Sequence, residues 1–336
     1  RLGSGSVIGG RASLLVDPRL LERLAAGREV VLVSATNGKT TTTRLLTAAL
    51  STDRRVVSNW LGANMTPGIV AGLGRADRRD TTAVLEVDER WLPRVLDATS
   101  ARTVVLLNLS RDQLDRTQEV RVLAAQWHDS LAGRDLTVVA NADDPLVTWA
   151  ASSASRVVWV AAGSGWTGDA TGCPACGGRL VLDEDWHCSE CDLHRPTPAV
   201  VIDGDDVVLD DARVTIDLPL PGRINRVNAA FALAAAAAMG ADPASAARGM
   251  GSVREVAGRY RVARLHGTEI RLVLAKNPAG WNEALELLEG STRPMVAAIN
   301  ARVADGHDPS WLWDVEYERL NGRFVVVTGE RRDDLA

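Results

Sequence analysis

The chain has 336 residues, 46% of them hydrophobic and 24% charged, a soluble globular composition. Its length exceeds one ordinary core, so roughly two or three domains are expected. With 38 basic against 43 acidic side chains, the formal net charge is −5 and the isoelectric point is near 5.6, which argues against nucleic acid as the main partner.

The longest apolar run, Ala229 to Ala241, is too short and too rich in Ala to span a membrane. No signal peptide opens the chain, so a cytoplasmic protein is expected. The lack of an initiator Met and the ending just after a strand-like segment point to a piece of a longer protein.

In chain order, Gly-rich residues lead into Leu14 to Leu24 at helical spacing. Val30 to Ser34 then reads as a buried strand, followed by Ala35-Thr36-Asn37-Gly38-Lys39-Thr40-Thr41 and a helix over Thr41–Leu50. A polyphosphate needs those parts in that order. Backbone N–H groups at a helix N-terminus point at phosphate, Lys39 adds a positive charge, and the Thr40 hydroxyl can ligate Mg²⁺. Gly38 has no Cβ to obstruct the ligand. The full pattern G-x-x-x-x-G-K-[ST] is not met, because Val33 stands where its first Gly belongs. The competing reading is a Thr-rich helix cap, but strand, Gly-Lys-Thr and helix are in register for a nucleotide site.

Further strands are expected at Thr82–Val87, Thr103–Leu109, Leu136–Asn141 and Arg156–Val160, with a helix over Glu119–Leu131. This alternation predicts a mostly parallel α/β sheet whose ligands gather at the carboxyl ends of the strands. Glu86 closes one strand and suits a second Mg²⁺ ligand or a water-orienting group. Asp88 and Glu89 follow it, and a solvated acidic turn is the alternative for all three. Asn141-Ala142-Asp143-Asp144-Pro145 reads equally as a helix N-cap. His128, His266 and His307 have no partners in sequence and are read as structural.

Residues 163–217 change character and enclose Cys173-Pro174-Ala175-Cys176 and Cys188-Ser189-Glu190-Cys191, two C-x-x-C pairs separated by eleven residues. Each pair offers two thiolates to one tetrahedral ion, and four thiolates leave no open position, so structural zinc in a ribbon insertion is expected. Two disulfides are the alternative, disfavoured without a secretory signal. His187 and His194 are expected to face solvent. After the insertion, Leu218 to Gly222 leads into an Ala-rich helix from Asn225 to Met239. Asn225 and Asn228 begin that helix, where one amide can meet a purine edge and the other can cap. From Gly258-Arg259 onward, Ile270–Leu274, Met295–Ile299 and Phe324–Thr328 read as strands around a helix at Trp281–Leu288. This divides the chain into 1–258 and a second α/β domain, 259–336. No nucleophile elbow and no spare thiol is present, so a reaction that takes nitrogen from glutamine needs a separate subunit to release it.

Four segments together resemble the Mur ligases. Ala35 to Thr41 is similar to their ATP loop, and Asn108-Leu109-Ser110-Arg111-Asp112-Gln113-Leu114-Asp115 to their N-x-x-x-D-H-L-D segment, with Gln113 in place of His. Asn141 to Pro145 and Gly222-Arg223-Ile224-Asn225-Arg226-Val227-Asn228-Ala229 match two further motifs in family order. The zinc insertion, the absence of the UDP-binding domain, and the segments Lys276-Asn277-Pro278 and Asn300 to Asp314 resemble one branch. Its members are the ligase-like subunits of lipid II isoglutaminyl synthases, which work beside a GatD-type glutaminase.

The resemblance implies a Mur ligase central domain carrying a zinc ribbon and a C-terminal Rossmann-like domain. It implies ATP, Mg²⁺ and structural zinc as cofactors, and a heterodimer acting on lipid II at the inner face of the plasma membrane. ATP would phosphorylate the α-carboxylate of D-glutamate in the stem peptide, and ammonia from the partner would convert the acyl phosphate to D-isoglutamine. Lys39, with Mg²⁺ on Thr40 and Glu86, would offset phosphoryl charge. The resemblance also implies that an aspartate of this chain completes the partner's glutaminase site, with Asp308 and Asp314 as candidates. Two alternatives are an amino-acid ligase of the Mur or folylpolyglutamate type that needs no partner, and a nucleotide-switched zinc-ribbon binding protein.

Overall fold

A computed structural model describes residues 6–59, 63–77, 79–110, 120–161, 163, 170, 172–183, 185–210, 212–256, 260–288, 291–300 and 310–335. Its elements run α1 (Ser6–Val16), α2 (Leu20–Ala25), β1 (Glu29–Ser34), α3 (Lys39–Leu50), β2 (Val56–Ser58), α4 (Thr66–Leu73), β3 (Thr82–Val87), α5 (Leu92–Thr99) and β4 (Thr103–Leu106). They continue with α6 (Val120–Leu131), β5 (Thr137–Asn141), α7 (Pro145–Ala151), β6 (Arg156–Ala161), β7 (Leu180–Val181), β8 (His187–Cys188), β9 (Val200–Asp203), β10 (Asp206–Leu209) and β11 (Ala212–Thr215). The last are α8 (Arg223–Ala238), α9 (Pro243–Met250), β12 (Tyr260–Leu265), β13 (Thr268–Val273), α10 (Pro278–Glu286), β14 (Met295–Ala298) and β15 (Val325–Thr328).

One nine-stranded sheet has the order β11-β10-β9-β6-β5-β4-β1-β3-β2. Its strands from β2 to β9 pair in parallel, and β10 and β11 run antiparallel at the edge. The expected alternation is therefore present, and the strands are apolar on both faces because helices cover both. Val31 and Val33 of β1 pack with α3, α8 and α9 on one side. Val30 and Leu32 pack with α2, α4, α5, α6 and α7 on the other. The chain switches direction at β1, whose neighbours are β3 and β4, and a crevice opens there at the strand carboxyl ends.

The stretch grouped with the cysteines divides in two. Residues 170–195 carry the four thiols and the small β7–β8 ribbon. Beyond them, β9 pairs with β6 and β9–β11 extend the main sheet. Short strands with mixed polarity look alike in sequence whether they belong to a ribbon or to a sheet edge. The hairpin partner of the expected strand near Ile270, β12, was not legible, because both strands are largely exposed and lack apolar alternation. His266 and Gly267 turn that hairpin with φ of 48° and 81°, the left-handed pair that a two-residue turn requires. A smaller core of Trp281, Leu285, Ala297, Ile299, Leu312 and Val315 holds α10 against β14 and β15. Among the described residues, no helix is long and apolar enough to cross a membrane.

Candidate active site

The loop between β1 and α3 lies at the switch point. Gly38 is the N-cap of α3 with φ +86°, and a Cβ built there would lie 2.5 Å from Asn228 Oδ1, so only glycine fits. The first-turn N–H groups of α3 have no carbonyl in their own helix to donate to, which leaves the helix start suited to an anion. Lys39 is buried, and its ammonium donates to the Ala35 and Thr36 carbonyls and to Glu89 Oε2 at 3.0 Å. Thr40 and Thr41 follow in the first turn, Thr40 half-buried and Thr41 buried.

Backbone geometry around the loop is set by the segment that follows β4. The Thr36 N–H donates to the Asn108 carbonyl at 3.0 Å, and its hydroxyl donates to the Ser110 carbonyl at 3.0 Å. Asn108 accepts from the Asn37 N–H at 2.8 Å and donates to the Asn37 carbonyl at 3.1 Å, fastening that residue from both sides. Arg111, Asp112, Gln113, Leu114 and Asp115 of this segment lie outside the described residues.

On the other flank, Val33 of β1 is in register with Glu86 of β3. Glu86, Asp88 and Glu89 are all buried, so this acidic end is not a solvated turn. Asn59 holds the Glu86 backbone, accepting from its N–H and donating to its carbonyl, each at 2.8 Å. Trp127 Nε1 donates to the Glu89 carbonyl at 2.8 Å. Asn59 and Trp127 carried no sequence signal, since their contacts span distant segments. The donor set suits Mg²⁺: a hydroxyl at the helix start and a buried carboxylate on the adjacent strand end are hard oxygen ligands.

Asn225 Nδ2 donates to the Pro221 carbonyl at 2.6 Å, and Asn228 Oδ1 accepts from the Thr42 hydroxyl at 3.2 Å. Both amides thus brace backbone and loop in this structure, and both side chains border the cavity containing Gly38, Thr41, Tyr260 and Lys276. Asn277 is fully buried, caps α10 by accepting from the Gly280 N–H at 2.9 Å, and exchanges amide contacts of 3.3 Å with Asn37. Its cue was legible as Asn before Pro at a helix start. Asp314 ends a 3-10 turn on the surface of the C-terminal section, beside Trp313, which is 88% exposed. It is not among the residues bordering the cavities on either side of Asn37. Asp308 lies outside the described residues.

The four cysteine sulfurs lie within 4.8 Å of one another, with pairs 3.6 Å apart for Cys173 and Cys191 and 3.5 Å apart for Cys176 and Cys188. Four thiolates about 2.3 Å from one zinc sit about 3.8 Å apart, so the donors fit that ion. Backbone N–H groups of Gly178 and Glu190 donate to Cys176 and Cys188 sulfurs, the turn each knuckle needs, and the Glu190 N–H helps draw the Cys188 thiol down to about 7. No disulfide links them. His187 and His194 are exposed, as expected. His128 stacks on Trp149 with ring centroids 4.8 Å apart, an ordinary surface contact.

Comparisons with known proteins agree with this geometry. The Mur ligase middle domain family matches residues 33–236, and the MurT ligase C-terminal family matches residues 274–336. Subunit MurT of the lipid II isoglutaminyl synthase (glutamine-hydrolyzing) of Streptococcus pneumoniae is 31% identical over 372 residues, covering 100% of this chain and 82% of that protein. The Staphylococcus aureus subunit MurT is 29% identical over 360 residues, covering 98% and 82%. Among solved structures, a pseudomurein peptide ligase type C from Methanothermus fervidus superposes with a TM-score of 0.70 at 20% identity, over 91% of this chain and 68% of that one. MurF from Acinetobacter baumannii gives 0.70 at 14% identity, over 97% and 72%. At those identities the two structures speak for the fold alone.

Proposed function

Because the chain belongs to the Mur ligase family, in its MurT branch, we propose that it amidates the α-carboxylate of D-glutamate in the lipid II stem peptide. Membership makes it an ATP-dependent ligase. The finer reading rests on one observation: the phosphate loop, the buried acidic end of β3 and the start of α10 meet at one crevice, in a chain similar to MurT along its whole length.

In this reading the first turn of α3 and Gly38 receive the triphosphate, and Lys39 turns from Glu89 toward the transferring phosphoryl group. Thr40 and Glu86 would hold Mg²⁺, which would supply positive charge to offset that of the phosphoryl groups. Residues 259–336 close over residues 1–258, with Asn277 against Asn37, and exclude water that would hydrolyse an acyl phosphate. Ammonia reaches this site from a GatD-like glutaminase in a heterodimer, at the cytoplasmic face of the membrane that carries lipid II. Asp308 or Asp314 completes the glutaminase centre. Four cysteines hold one structural zinc.

The test is mass spectrometry of lipid II incubated with the chain, ATP, Mg²⁺ and ammonium, and again with glutamine and the partner. Conversion of one carboxyl to an amide supports the proposal. ATP hydrolysis without an amide supports the amino-acid ligase instead, and no turnover with either nitrogen source supports a nucleotide switch.

A further inference from the structure

The ribbon is fastened to the same strand ends that form the crevice. Trp186, only 3% exposed, donates from Nε1 to the Ala142 carbonyl at 2.9 Å. Arg195, at the far end of the ribbon, donates from Nε to Asp143 Oδ1 at 2.6 Å, with 20% and 10% of the two side chains exposed. The Arg195 N–H also donates to the Trp186 carbonyl at 2.8 Å, so the two anchors move together.

From Asp143 the hydrogen bonds lead to residues 107 and 109, whose backbone carries the path on to the loop between β1 and α3. The Asp143 N–H donates to Asn141 Oδ1 at 2.8 Å, and Asn141 Nδ2 donates to the Leu107 carbonyl at 2.8 Å. Next to it, Asp144 Oδ2 accepts from the Leu109 N–H at 2.9 Å. Residues 107–110 are the segment that holds Thr36 and Asn37 through Asn108 and Ser110. Three successive strand ends, those of β5, β4 and β1, are thus tied in a row to the ribbon. Asn37, Asn108, Asn141 and Asp143 also border one cavity, together with Arg223 and Glu283.

We infer that Arg195 and Trp186 are positioning residues for the phosphate loop, and that the ribbon serves as a brace for nucleotide binding. This rests on the proposal that the loop binds ATP. A charge-assisted hydrogen bond shielded in part from solvent is directional and strong, and a packed network of such bonds has few alternative arrangements. Releasing Asp143 frees the loop after β5, then residues 107–110, and the helix-start N–H groups of α3 lose their fixed aim. Coupling between sites through packed elements is worth roughly 5- to 150-fold in affinity.

The experiment measures Mg²⁺·ATP dissociation constants, bound zinc and melting temperature on the zinc-loaded full chain. Arg195→Ala and Trp186→Phe should each raise the dissociation constant at least about fivefold while zinc stays at one per chain. Arg195→Lys, which keeps the charge, should recover part of the loss. The double variant Arg195→Ala/Asp143→Ala should bind no more weakly than Asp143→Ala alone, because Arg195 acts through Asp143. Unchanged nucleotide affinity in Arg195→Ala and Trp186→Phe overturns the inference, as does weakening that appears only with zinc loss or unfolding. Failure of the unaltered chain to bind Mg²⁺·ATP would instead overturn the nucleotide assignment itself.

Discussion

The Lys39 ammonium lies 3.0 Å from the Glu89 carboxylate, with 8% and 10% of the two side chains exposed. Burying either charge without the other is costly, and the pair resolves that cost inside the crevice. It also gives Lys39 a resting partner. On the proposed function, a polyphosphate entering the loop would compete with Glu89 for the same cation.

Lys39→Ala should lower ATP-dependent amidation at least about a hundredfold, the scale of losing one preorganised charge contact to the reacting group. It should also lower the melting temperature, because it strips the cation from a buried carboxylate. Glu89→Gln should tighten Mg²⁺·ATP binding in calorimetry by releasing Lys39. Normal turnover by Lys39→Ala would remove the phosphate-loop assignment.

Gly38→Ala places a methyl 2.5 Å from Asn228 Oδ1 and 3.1 Å from Leu107 Cδ1, on a backbone with φ +86°. The expected destabilisation is about 1–3 kcal/mol, with weaker nucleotide binding. Denaturant melts measure it. An unchanged midpoint would mean that the loop relaxes at no cost.

Cys176→Ser should reduce zinc below one per chain and lower the melting temperature by several degrees, since a closed four-thiolate site contributes directly to folding. Elemental analysis checks the first and calorimetry the second. Retention of a full equivalent of zinc counts against the site.

Asp314→Asn should lose amidation driven by glutamine and partner while keeping amidation driven by ammonium. Equal activity with both nitrogen sources excludes Asp314 from the glutaminase centre and leaves Asp308. Loss with both sources places Asp314 in folding or in the ligase chemistry.

Asp242 caps α9, and the Ser245 hydroxyl and N–H hold its carboxyl below the usual range. A depressed folded-state value means that the cap stabilises fully above the ordinary carboxylate value, near pH ~4, and is lost as pH falls through the folded value. The melting gap between the unaltered chain and Asp242→Ala should be present at pH 7 and close in strong acid. A gap independent of pH would assign the effect to packing.

Much of the architecture was legible because its signals are local. Apolar runs of β1, β3, β4, β5 and β6 stand out because both sheet faces are covered, and Gly-Lys-Thr declares itself by following such a run. The hairpin β12–β13 and the edge strands β9–β11 were harder, because exposed or one-sided strands carry no such contrast. The triplet Glu86, Asp88 and Glu89 was visible as acids, but burial and the tie to Lys39 were not.

By itself the sequence determined the elements whose chemistry sits within a few neighbouring residues: the Gly-Lys-Thr helix start, the two C-x-x-C knuckles, and the alternation that makes a parallel sheet. Only the tertiary structure decided which groups meet. Lys39 finds Glu89 across 50 residues, Arg195 finds Asp143 across 52, and Asn37 finds Asn277 across 240. Helix caps and metal knuckles are closed by short-range geometry, which a spacing records. Contacts between distant segments depend on strand order and on which helix faces are buried, and those follow from the packing of the whole chain.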